Sequence, residues 1–306
     1  MARIVVTGGT GFIGSHLVRA LVGRGDSVTV LSRDPASVLR RLGEGVIGRG
    51  WNPDQAGDWF GELSGQDAVV HLAGERAVGV RWTDAAKRRI HGSRVDSTRL
   101  LVEAMAAASE RPRAFVCASG INIYGAHPGD EEIDEQGAVG SDFLARVAFD
   151  WEAAARDAEA LGVRVVSTRF GVVFARDGGA IEQMALPFKL FAGGPLGSGK
   201  QVVSWVHVDD VIGILLRCLD DEGIQGAVNV VAPSPVTNAE LSRAIGKVLG
   251  RPSWLKVPAA ALKARFGEGA GPLVTGQRVV PRVMQERGYS WQYPELGRAL
   301  QQALGS

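Results

Sequence analysis

Arg3-Ile4-Val5-Val6-Thr7-Gly8-Gly9-Thr10-Gly11-Phe12-Ile13-Gly14 decides the fold. Its first five residues form a short, apolar, β-branched run, as a parallel strand buried on both faces requires. Glycines follow at 8, 11 and 14, and Ile13, Leu17, Ala20 and Leu21 then recur at helical spacing through Gly23. In a strand–turn–helix setting each glycine has a task. Gly8 permits the tight turn, Gly11 lets backbone approach a pyrophosphate, and Gly14 lets the helix pack against the strand. Thr10, Phe12 and Ile13 complete the turn. Its helix start offers unpaired N–H groups and a partial positive charge to phosphates. The stretch predicts a dinucleotide site.

Outward from it, residues 27–31, 67–72, 114–119 and 163–169 read as further strands. Residues 84–108 and 143–161 read as helices, the first with an apolar stripe of Leu100, Leu101, Ala104 and Met105. Strands alternating with helices predict an α/β fold, a Rossmann-type doubly wound parallel sheet. After residue 174 the pattern loosens. Strands are expected at 202–208 and 227–231 and helices at 211–218, 238–249 and 294–304, with loops at 178–179 and 193–200. The expected division is a Rossmann domain over 1–174 and a smaller C-terminal α/β substrate lobe over 175–306.

The end of the second strand selects the dinucleotide. A carboxylate there would hold the ribose hydroxyls of NAD. Here the place falls on Ser32, followed by Arg33. A hydroxyl beside a guanidinium suits a 2′-phosphate, which a carboxylate would repel. Asp34 comes too late and reads as a cap on a helix near Pro35. The expected cofactor is NADP(H).

Composition narrows the class. With 306 residues, 45% of them hydrophobic, the chain can bury a large core. A net charge of +1 argues against nucleic acid as a partner. Cys117 and Cys218 lie in apolar runs and read as buried thiols of a reducing compartment. The N-terminal apolar run is too short for a signal peptide, and no stretch approaches the ~18 apolar residues of a membrane span. A cytoplasmic protein without a membrane partner is expected. The oligomeric state is not legible.

On the motifs Thr7–Gly14, Asp67-Ala68-Val69-Val70-His71-Leu72-Ala73-Gly74 and Trp205-Val206-His207-Val208-Asp209-Asp210, the chain resembles the extended short-chain dehydrogenase/reductase superfamily. It is similar to an atypical, epimerase-family subgroup with NADP-dependent oxidoreductase character. Gly74-Glu75, Arg81-Trp82, Ser93-Arg94, Asp150-Trp151-Glu152 and Gly193–Gly199 carry that closer match. So does a C-terminal module, at about 250–304, with Gly276-Gln277-Arg278-Val279, Gly288-Tyr289 and Tyr293-Pro294-Glu295-Leu296. The resemblance implies that Ser32 and Arg33 hold the 2′-phosphate and that Leu72, Ala73 and Gly74 border the cofactor. It further implies that Arg94 and Val173 line its cleft.

The family's usual chemistry uses a serine after the fifth strand and a tyrosine–lysine pair four residues apart on the next helix. Ser119 stands where the serine is expected. Registering the helix on Glu152 puts Leu144 and Ala148 at the other two positions, and no lysine occurs between Lys87 and Lys189. The dyad is absent. Tyr124 is the remaining candidate acid, with Ser119 as hydrogen-bond donor to a substrate oxygen. Residues 194–200 imitate a nucleotide P-loop but lead into a strand, with Gln201 where Ser or Thr must stand. His207, Asp209 and Asp210 read as a helix start capped by one of the aspartates, so no metal is expected. Asp130 to Glu135 form an acidic, solvated loop. Arg76, Arg81, Lys87, Arg88, Arg89 and Arg94 read first as a surface helix face and second as an approach for an anionic substrate.

The functional expectation is an NADP(H)-dependent oxidoreductase acting on a small carbonyl or alcohol. A non-catalytic NADP(H) sensor or scaffold is the alternative. A nucleotide-sugar epimerase is the weaker one, since that chemistry depends most on the missing pair.

Overall fold

The structure is a computed structural model that describes residues 1–127 and 131–305. Asp130 of the expected acidic loop lies outside the described residues. The first half alternates strands and helices: β1 (Arg3–Thr7), α1 (Phe12–Gly23), β2 (Ser27–Ser32), α2 (Ala36–Leu42), β3 (Val46–Gly50) and β4 (Ala68–His71). It continues with α3 (Asp84–Ala107), β5 (Ala114–Gly120), β6 (Glu132–Ile133), α4 (Phe143–Arg156) and β7 (Arg164–Phe170). Beyond these come β8 (Val172–Ala175), β9 (Gly178–Gly179), α5 (Ala180–Lys189), β10 (Val202–Val203), β11 (Trp205–His207), α6 (Val208–Asp220), β12 (Gly226–Val230) and β13 (Val236–Thr237). The last elements are α7 (Asn238–Leu249), α8 (Ala259–Phe266), α9 (Gly271–Val274), β14 (Arg278–Val279), α10 (Arg282–Glu286) and α11 (Leu296–Leu304).

Seven strands form one sheet in the order β12-β7-β5-β4-β1-β2-β3, all parallel. This is the doubly wound Rossmann arrangement expected from the first half. The order reverses between β1 and β4, and the crevice beyond their carboxyl ends is where such sheets bind ligands. Each strand alternates its side chains between two apolar layers. Ile4, Val6, Val30, Val70 and Val116 meet α1 and α6 on one side; Val5, Val69, Phe115 and Cys117 meet α3 and α4 on the other. Cys117 and Cys218 are buried free thiols.

The second half departs from a simple appended lobe. Strand β12 returns to the large sheet beside β7 and α6 packs against α1, whereas β8, β9 and β11 form a separate small sheet. The expected strand over 202–208 is two strands in different sheets. It breaks at Ser204, whose hydroxyl donates to the Gln277 carbonyl (2.8 Å) and accepts from the Val279 N–H (2.9 Å). The expected loop at 178–179 is β9, which leads directly into α5. The helix expected over 143–161 is α-helical to Arg156 and a 3-10 turn over Asp157–Leu161.

Candidate functional site

Gly8 adopts φ +69°, and a Cβ there would stand 2.7 Å from the Leu72 carbonyl carbon. A Cβ on Gly14 would stand 2.2 Å from the Gly8 carbonyl oxygen. The two glycines therefore bring the start of α1, the turn and the end of β4 into contact that no larger residue permits. Gly11, the N-cap of α1, supplies no side-chain acceptor to the helix start. Those first N–H groups, next to Thr10, Phe12 and Ile13, therefore lack a side-chain cap, an arrangement that can hold an anion. Phe12 closes one side, lying against Gly178 and Gly179 of β9, and Gly179 in turn lies under the Val173 carbonyl.

The neighbouring strand ends supply the rest. Thr7 pairs with Leu31 in register, so Ser32 and Arg33 emerge beside the turn. Arg33 is exposed and, among the described residues, has no ion pair or hydrogen bond. Ser32 Oγ accepts from the Asp34 N–H (3.2 Å), and Asp34 Oδ1 accepts from the Ser37 N–H (3.2 Å), the capping role expected of it. The end of β2 thus presents a guanidinium without a partner among the described residues, next to a hydroxyl that also donates to the Asp34 carbonyl (3.1 Å).

On the β4 side, Gly74 lies against the Arg94 guanidinium. Arg94 donates to the carbonyls of Glu75 (2.8 Å) and Ile90 (3.0 Å) and lies 5.2 Å from the Trp151 ring centre. Burial pulls its pKa down to about 10, against the opposing pull of Glu75. Below it, His71 is fully buried. Ser97 Oγ gives its proton to the Ser93 carbonyl (2.9 Å) and so accepts from His71 Nε2 (3.3 Å), which leaves Nδ1 to accept from Thr7 Oγ1 (2.6 Å). Burial, aided by Arg94, pulls the His71 pKa down to about 3, so the ring is neutral.

Ser119 and Tyr124 are placed differently from the sequence expectation. Ser119 Oγ donates to Glu152 Oε1 (2.7 Å), facing α4 rather than an open cleft. Glu152 is held by Arg169 through two bonds of 2.8 Å. Arg169 also donates to the Tyr124 hydroxyl (2.8 Å), which donates onward to Asn229 Oδ1 (2.7 Å). The Asn229 N–H meets Glu135 Oε1 at 3.0 Å. Tyr124 is 1% exposed, and burial pushes its pKa up to about 12 despite Arg169. The two expected catalytic groups are joined only through Glu152 and Arg169, as members of a buried polar chain in which both hydroxyl protons are engaged. Leu144 and Ala148, at the positions of the missing dyad, are both 6% exposed and buried in α4.

Two other sequence readings take a definite shape. Residues 194–200 form a loop between α5 and β10: a Cβ on Gly194 would fall 2.2 Å from the Leu255 carbonyl oxygen, so that glycine serves close packing. The expected aspartate cap at the start of α6 is a histidine cap. His207 Nδ1 accepts from the Asp209 N–H (3.2 Å), and Nε2 therefore donates to Gln302 Oε1 (2.7 Å). Asp210 instead accepts from the backbone N–H groups of Gln292 (2.7 Å) and Tyr293 (2.9 Å). Burial pushes its carboxyl above the usual range against those bonds. The C-terminal module also reaches the crevice rim. Lys87 on α3 pairs with Glu268, and a Cβ on Gly269 would lie 2.1 Å from the Val80 carbonyl oxygen. Across the rim Arg76 donates to Gln183 on α5 (2.6 Å).

Sequence reasoning missed the Glu152–Arg169 pair; Glu152 shares 144–155 with Arg146 and Asp150, and Arg169 shares 163–170 with Arg164, so no isolated charge marked either partner. Arg41, whose guanidinium reaches the Thr10 carbonyl (3.4 Å), left no signal in sequence.

A glycine-lined anion cradle at the switch point of a seven-strand parallel sheet defines a dinucleotide-binding fold, and the comparisons agree. Residues 4–231 match the NAD dependent epimerase/dehydratase family, and residues 257–303 match a domain of unknown function. The chain belongs to the NAD dependent epimerase/dehydratase family. Among its relatives, the epimerase family protein SDR39U1 of Bos taurus is 41% identical over 312 residues, covering 99% of both chains. The epimerase family protein YfhF of Bacillus subtilis is 35% identical over 304 residues, covering 99% of this chain and 98% of the relative. The crystal structure of the human epimerase family protein SDR39U1 with NADPH matches with a TM-score of 0.87 at 39% identity, covering 98% of both chains. Among the described residues no helix is long and apolar enough to cross a membrane.

Proposed function

We propose that the chain binds NADPH through Gly8, Thr10, Gly11, Phe12, Ile13, Gly14, Ser32 and Arg33, with Leu72, Ala73, Gly74, Arg94 and Val173 along the cleft. Residues 1–174 carry the cofactor and 175–306 shape a substrate pocket. The free guanidinium of Arg33 beside an uncapped helix start carries this reading, and the NADPH in the human relative's crystal structure supports it. The reaction is transfer of hydride between the nicotinamide and a small carbonyl or alcohol. In reduction the hydride joins the carbonyl carbon and a proton joins the oxygen. Tyr124 and Ser119 are closed into their network, so water supplies that proton. The same closure favours a second reading, a non-catalytic NADPH-responsive protein.

Purified protein mixed with NADPH and a panel of aldehydes, ketones and quinones, followed by loss of nicotinamide absorbance, separates the two. Turnover that survives Tyr124→Phe supports the water route. Tight NADPH binding with no turnover supports the sensor. For the cofactor itself, Arg33→Ala is expected to weaken NADPH by about tenfold or more, as loss of a charged hydrogen bond does, with little change for NADH. Equal losses for both nucleotides would remove Arg33 from the 2′-phosphate.

A further inference from the structure

The guanidinium that the sequence did not reveal lies on the last turn of α2. Arg40 and Arg41 both close that helix, where cations suit the dipole. Their partners differ. Arg40 is paired with Asp34 at 3.4 Å, whereas Arg41 has no acidic partner among the described residues. Its side chain instead runs back to the phosphate turn and donates to the Thr10 carbonyl at 3.4 Å. That long bond uses one of the five N–H donors of the guanidinium and leaves the others available. Arg41 is exposed, so nothing in the core holds it there.

We propose that Arg41 is a second specificity-determining residue for the 2′-phosphate, facing Arg33 across the adenosine end of the crevice. This inference rests on the NADPH reading above. Thr10 borders that end on the turn side, and Ser32 with Arg33 borders it on the β2 side. Helix α2 follows the second border in sequence, and from its last turn the Arg41 guanidinium reaches back to the first at the Thr10 carbonyl. A ribose phosphate monoester carries about 1.5–2 negative charges at neutral pH. One guanidinium leaves that charge partly uncompensated; two neutralise it through forked hydrogen bonds.

The test measures dissociation constants for NADPH, NADH and adenosine 2′,5′-bisphosphate by calorimetry with the full chain, Arg41→Ala, Arg41→Lys and Arg33→Ala. Arg41 is on the surface, so matching melting curves establish that the variants remain folded. For Arg41→Ala the expected result is a loss of about tenfold or more for NADPH and the bisphosphate, with NADH changed less than about twofold. Arg41→Lys is expected to recover only part of the loss, because a lysine keeps charge without the fork. Equal weakening of NADPH and NADH would overturn the assignment by moving Arg41 to the shared part of the cofactor. An unchanged ratio in Arg41→Ala beside a changed one in Arg33→Ala would remove Arg41 alone. A parent chain that binds no NADPH would overturn both the cofactor reading and this one.

Discussion

His71 and Tyr124 are both polar and both sealed, and each makes a measurable demand on the protein. His71 keeps a neutral ring because burial, with Arg94 above it, lowers its pKa from 6.5 to about 3. The unfolded chain therefore binds a proton at mildly acid pH that the folded chain refuses. Stability from this group is complete above pH 6.5 and is lost as pH falls toward 3, by about 1.4 kcal/mol per pH unit. Urea unfolding between pH 4.5 and 7 is expected to show that slope and to lose it in His71→Asn; an unchanged slope would assign acid sensitivity elsewhere. Tyr124→Phe removes the link between Arg169 and Asn229. It is expected to cost about 1–3 kcal/mol of stability, since the Asn229 side-chain oxygen is left buried without its donor. NADPH affinity should be unaltered, and a large loss of it would return Tyr124 to the cofactor cleft.

Among elements, the junction of β1, the turn and α1 tolerates least. Gly14→Ala places a methyl 2.2 Å from the Gly8 carbonyl oxygen, which forces α1 off the sheet. A loss of about 1–3 kcal/mol, as for an overpacked core, together with severely weakened NADPH binding is expected. Full affinity in that variant would mean the cradle is not the phosphate site. This junction was the most legible part of the sequence, because Gly11 and Gly14 answer to the Gly8 carbonyl only a few residues away, even though Gly8 itself meets Leu72 of a distant strand end. Other elements answer to distant partners and were less legible. Ser204 splits 202–208 because Gln277 and Val279 bond to its hydroxyl. Helix α5 begins directly after two glycines and contains Pro187, so local signals concealed it. Strand β3 carries Gly48 and Gly50 and an exposed Ile47 at the sheet edge, without the apolar run that marked the central strands. The cofactor half of the site was readable for the same local reason. The fate of Ser119 and Tyr124 was not, since it depends on Glu152, Arg169 and Asn229 arriving from three other elements.

For the molecule as a whole, Asp210 ties the C-terminal segment to α6. Its carboxylate accepts two backbone N–H groups from residues 292 and 293, and the Tyr289 hydroxyl lies 3.2 Å away. Asp210→Asn turns one acceptor into a donor facing those N–H groups. A loss of about 1.5–3 kcal/mol, the worth of hydrogen bonds to a charged group, is expected in chemical denaturation. Limited proteolysis should cut first near 288–295, and cleavage elsewhere would show that the tie is dispensable. The same segment brings Met284 against the large sheet's core and Leu300 against the core of the small one. Its removal would strip both.

The return of β12 to the large sheet has a mechanical corollary. A polypeptide that leaves one unit, re-enters it, and leaves again is sewn to it at several points, and such a seam has no single pivot. The Arg76–Gln183 bridge is of another kind, an exposed side-chain contact that can be undone without moving a strand.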